Sequence, residues 1–257
     1  MSNPVTRKCA LMVLTAALLG TGAGCDRDSA DTAPTTFAKP APDPYALTNY
    51  SIIWSDSAGL DLMSPEGTYV RASVESLDVG TSNRNRDAAV PDFWKSVTGP
   101  AKEFAESLFN FGPDGPWVGI MRYQILQAAD HGDSFEVTVC TFVAQRGTPT
   151  QARGNPDGTY QFRNQGNPWY LTVRRDGDTA PPSHQSGPDT FATRPVLGTW
   201  KTTDWHGLPR GQSNPCRDNE PMPGVEPGTW PVVAPGNFYV TTDIPTAPSY
   251  PGWSDAL

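Results

Sequence analysis

The sequence predicts an α+β domain: N-terminal helices packed on a curved antiparallel β-sheet, followed by long Pro/Gly-rich C-terminal loops. Three observations carry that expectation. Apolar residues recur at helical spacing between about residues 65 and 109. From Trp117 the period changes to two. Beyond Gly207 proline, glycine and polar residues dominate, in a chain holding 27 Pro and 24 Gly among 257 residues.

Taken in order, "YSIIW" (50–54) reads as an edge strand or a packed lead-in. Ser64, Pro65 and Glu66 then supply an N-cap, a first-turn proline and an acid at the positive end of a helix dipole. Val70, Val74 and Leu77 fall on one face of that helix, and Arg71 and Glu75 form an i, i+4 pair on another. Short helices are expected over 90–97, with Phe93, Trp94 and Val97 on one side, and over 101–109, with Phe104 and Leu108 inward. "GPDGP" (112–116) stops the helical part. "WVGIMRYQILQAA", "DHGD" and "SFEVTVCTFVAQ" spell two long strands around a tight turn, a hairpin. Phe135, Val137 and Val139 face one way in it, and Glu136, Thr138, Cys140 and Phe142 the other. Further strands are expected within 154–164, over 168–176 with Trp169, Leu171 and Val173 on one face, and over 196–205. The remaining 206–257 should wrap the surface without regular structure.

The first residues read as an export signal. Arg7 and Lys8 precede an apolar core of about ten residues, which suits a signal h-region and is too short for a membrane span of roughly 20 residues. "LLGTGAGC" (18–25) resembles a bacterial lipobox, in which small residues precede a cysteine that is diacylated and becomes the new N-terminus. Gly24 and Ala23 match its small positions; Gly22 departs from the branched apolar residue usual there. Cleavage after Ala23, giving a soluble secreted protein, is the alternative. The tract after Cys25 holds a single large apolar side chain before Tyr45, Phe37, and cannot offset its chain entropy by burial. The expected organisation is therefore a lipoprotein signal peptide (1–24), a disordered tether (25–48) acylated at Cys25, and one α+β domain (49–257). Its address would be the extracytoplasmic face of the cell membrane, reached through the lipid anchor.

Four cysteines are present. Cys9 leaves with the signal and Cys25 belongs to the anchor, so Cys140 and Cys216 remain as a pair, expected to be bonded outside the cytoplasm. Two separate buried thiols are the competing reading. The bond would restrict the unfolded chain by up to roughly 4–5 kcal/mol in the entropy model. Removal of Arg7 and Lys8 leaves 17 basic against 27 acidic side chains, net −10, with no basic run. Nucleic acid is thereby disfavoured as a partner.

The element order over about 65–176 resembles the cone-shaped nuclear transport factor-like and cystatin-like folds. The combination of "TYVRASVES", "VTVC", "GTW" at Trp200 and a late cysteine in a Pro-rich tail resembles exported lipoproteins of mycobacteria and related actinobacteria. That second resemblance implies a cell-envelope address and the disulfide, and no activity.

Signals for chemistry are sparse. His131, His184 and His206 show no HxH, HExxH or HxxxH spacing, no G-x-S-x-G occurs, and no CxxC supports a metal site. No cofactor, metal or catalytic residue is assigned on these grounds. The aromatic content offers loop-borne Trp205, Trp230 and Trp253 as candidates for contact with an envelope protein or glycan. The leading expectation is a binding or envelope-assembly role without catalysis. Two alternatives stand beside it: an enzyme with Glu75 or Asp78 as the acid in the open end of a cone, and a prophage-encoded lipoprotein that blocks superinfection.

Overall fold

A central helix, enclosed on nearly every side, organises the computed structural model. The structure describes residues 43–55, 59–110, 116–143, 146–149, 158–163, 166–216 and 238–254; these lie in one compact unit, Pro42–Leu257. Cys25, the signal, the tether and Trp230 lie outside the described residues.

Strand β1 (Thr48–Ser55) leads into helix α1 (Pro65–Asn83). Ser64 caps that helix as expected, its Oγ accepting from the Gly67 N–H at 3.0 Å. A 3₁₀ turn (Arg86–Ala88), the single-turn α2 (Phe93–Ser96) and α3 (Gly99–Asn110) follow. The remaining strands are β2 (Trp117–Asp130), β3 (Ser134–Phe142), β4 (Arg146–Pro149), β5 (Tyr160–Arg163), β6 (Gly166–Arg174), β7 (Lys201–His206) and β8 (Phe238–Thr241). The sheet runs β7-β6-β3-β2-β4-β5-β8, antiparallel throughout, while β1 pairs in parallel with β2. The fold is thus α+β, with the helices on one face of a mostly antiparallel open sheet. Bulges at Ile125/Gln127 and Thr172/Val173 interrupt the ladders, and such bulges bend and twist the strands that carry them.

The core lies between sheet and helices. Tyr123 and Ile125 of β2, Phe135, Val137 and Val139 of β3, and Leu171 and Val173 of β6 face Val70, Val74 and Leu77 of α1. The alternation read for β3 holds, and its other face carries Cys140 and Phe142. Cys140 is bonded to Cys216 with 5.4 Å between Cα atoms, and both cysteines are buried with Phe142 on the side of the sheet away from the main core.

Helix α1 has no solvated polar face: Thr68, Arg71, Ser73, Glu75, Ser76, Asp78 and Ser82 are all buried. One expectation is corrected. The C-terminal segment does more than wrap the surface. Residues 249–253 run beside β1, where the Trp54 N–H donates to the Tyr250 carbonyl and the Tyr250 N–H to the Ile52 carbonyl, each at 2.8 Å. This strap covers the side of α1 that the sheet leaves open. Gly252 (φ +66°) and Gly187 make the passage possible: a Cβ on Gly252 would sit 2.2 Å from the Gly187 carbonyl oxygen, and one on Gly187 2.2 Å from that of Trp253.

Candidate functional site

Helical spacing places Arg71, Glu75 and Asp78 on one side of α1. The fold then surrounds that side with aromatic groups. Glu75 is buried, and both its oxygens are occupied: Trp54 Nε1–H donates to Oε1 at 2.7 Å and Trp253 Nε1–H to Oε2 at 2.5 Å. Burial pushes its pKa up to about 7, against the opposing pull of the Arg71 charge and the two indole hydrogen bonds. Asp78 accepts from the Tyr50 hydroxyl at 2.7 Å. The Arg71 guanidinium lies 4.2 Å from the centroid of the Trp253 ring and donates to the carbonyls of Gln185 (2.8 Å) and Gly252 (2.6 Å). Burial lowers its pKa from the usual guanidinium range.

Glu75 therefore does not stand in an open mouth. The strap both covers the pair and supplies partners to it, the Gly252 carbonyl for Arg71 and the Trp253 indole for Glu75, without which their burial would be costly. The space beside Glu75 and Ser76 is about 10 Å³, the size of a single water. This cluster ties β1, α1 and the strap together.

The loop aromatics are also corrected. Trp205 is 1% exposed and Trp253 2% exposed. Trp205 sits on β7 among Phe93, Phe104 and Trp169, with ring centroids 5.6–6.4 Å away. Trp253 closes the α1 cluster. In a chain with so much loop, burying a large ring recovers more apolar area than leaving it for a partner. Neither belongs to an exposed patch.

A polar concavity opens on the far face of the sheet. A groove of about 340 Å³ is lined by Gln127, Glu136, Thr138, Tyr170, Thr172, Asp204 and His206, with contributions from Ala129, Val137 and Leu171. Register explains the arrangement. Ala129, Glu136, Thr172 and Asp204 form one rung across β2, β3, β6 and β7; Gln127, Thr138, Tyr170 and His206 form the next. Tyr170 and His206 stack, with centroids 5.0 Å apart and planes 23° from parallel. Each carboxylate has an imidazole at 3.9 Å: His131 beside Glu136 and His206 beside Asp204. At the rim, Arg174 is clamped bidentately by Asp176 (2.5 and 2.6 Å). Arg175 binds Asp130 at 2.8 Å and Glu66 at 3.0 Å, holding Asp130 below its usual carboxylate range.

No family model, no curated protein and no solved structure matches the chain.

Sequence reasoning passed over Glu136, Tyr170, Asp204 and His206 as a group. Strand alternation puts Glu136 on the outward face, but the register joining it to Asp204 is a long-range property. Among the described residues no group of three or more His, Cys, Asp or Glu is placed to hold a metal ion, and no helix is long and apolar enough to cross a membrane.

Proposed function

We propose that the chain is a membrane-anchored extracytoplasmic lipoprotein whose disulfide-tied domain serves a binding or envelope-assembly role without catalysis. The anchor half of this reading rests on the leader, the lipobox-like "LLGTGAGC" and the polar tract after Cys25. The binding half rests on one observation, the division of polar groups between the two faces of the sheet. The helix-side carboxylates are engaged in joining β1, α1 and the strap. The outer groove instead presents Glu136, Asp204, His206 and Tyr170 in a concave setting of ligand size.

Fractionation of cells expressing Cys25→Ala tests the anchor. The unaltered protein is expected in the membrane fraction and the variant in the medium or the soluble extracytoplasmic fraction. Retention of the variant in the membrane overturns the lipoprotein assignment.

A further inference from the structure

The groove's charge and spacing deepen the binding reading, on which this inference rests. Glu136 and Asp204 occupy the same rung, on β3 and β7, with Thr172 of β6 between them. Two strand spacings separate them, about 9.6 Å between backbones. Neither Lys nor Arg is among the lining residues. Arg174 at the end of β6 has Asp176 as its bidentate partner, and Arg175 is committed to Glu66 and Asp130. Lys201, paired with Arg174, donates to the Lys95 carbonyl at 3.0 Å. Among the described residues, the basic groups within 4 Å of the two carboxylates are the imidazoles of His131 and His206, which carry charge only when protonated. The groove thus offers two negative points on one rung, on strands two apart. The groove floor carries a threonine, and the neighbouring rung an aromatic ring of the type that attracts cations.

We propose that this groove binds a linear aliphatic polyamine, with one terminal ammonium at Glu136, the other at Asp204, and the methylene chain lying across β6 over Thr172 and against Tyr170. A triamine of the spermidine kind spans that separation. A neutral saccharide can donate hydroxyls to the two carboxylates and to Gln127 but brings no positive charge to either; a polyamine brings an ammonium to each, and such charge-assisted hydrogen bonds are the stronger. An anionic ligand would face both carboxylates directly.

Calorimetric titration of the full mature protein in detergent, at low salt, with spermidine tests the assignment. One saturable site is expected, weakened by added salt and absent for a neutral diol of equal length. Glu136→Gln and Asp204→Asn should each weaken binding by about 3- to 5-fold, and together by about 10- to 25-fold. Absence of saturable spermidine binding overturns the proposal. So does unchanged affinity in the double variant, which would mean diffuse attraction to an acidic chain. Binding of a neutral oligosaccharide such as chitotriose, insensitive to both substitutions, overturns the polyamine while leaving the broader binding role standing. The anchor is decided separately by fractionation, so the two failures are distinguishable.

Discussion

Glu75 is a carboxylate whose protonation is controlled by burial. Its pKa stands at about 7 in the fold against an ordinary 4.5, with Arg71 pulling it down and Asp78 pushing it up. Between those two values the folded chain binds more protons than the unfolded chain, so the Glu75 contribution to stability is complete below about pH 4.5 and declines as pH rises toward 7. The full shift corresponds to about 3 kcal/mol. Glu75→Gln removes the titration but also turns one indole N–H toward an amide N–H, with a cost of about 1–3 kcal/mol for the lost acceptor. Urea unfolding at pH 5 and pH 7 checks both consequences. The variant should be less stable than the parent at pH 5, and its stability should change less between the two pH values. A variant with the same pH slope as the parent would show that Glu75 does not titrate in this range.

At the scale of elements, the strap is the component that completes the core. Residues 249–253 contribute two backbone hydrogen bonds beside β1, the Gly252 carbonyl for Arg71 and the indole for Glu75. Trp253→Ala removes a buried ring, one partner of Glu75 and the face on which Arg71 stacks. A loss of about 3–5 kcal/mol is expected from the ring alone, measured by denaturant unfolding. The protein should also become more sensitive to proteolysis near its C-terminus, because the strap loses its anchor. An unfolding free energy within 1 kcal/mol of the parent's, an order-of-magnitude bound for surface substitutions, would show that the strap is peripheral to stability.

Across the whole molecule, the Cys140–Cys216 bond joins the hairpin strand β3 to the chain beyond β7, closing a separation of 76 residues. Replacing both cysteines by alanine should lower stability by about 2–5 kcal/mol, read from the urea midpoint, and adding reductant to the parent should approach the same value. Much of this architecture was legible locally. Ser64-Pro65-Glu66 marks the start of α1, the period-two run through Phe135, Val137 and Val139 orients β3, and cysteine arithmetic pairs the two sulfurs. The illegible parts are those decided by distant segments. Arg71 and Glu75 resemble a solvated i, i+4 pair until a tail 178 residues beyond Glu75 covers them. Trp205 and Trp253 lie in Pro/Gly-rich surroundings that look exposed, yet the core needs their area. The four-residue strands β4 and β8 are too short to display a period. The groove depends on the relative register of β3, β6 and β7, which no single strand encodes.

The placement of Trp253 has a consequence for the order of synthesis. Its partners, Arg71 and Glu75, are made first, and the indole that closes over them is added 178 residues after Glu75. A growing chain therefore carries a buried-type acid and guanidinium without their cover, and cannot settle into its final state early. A protein built this way stays pliable until its closing segment has emerged, a useful property for any polypeptide that must be threaded through a pore before it compacts.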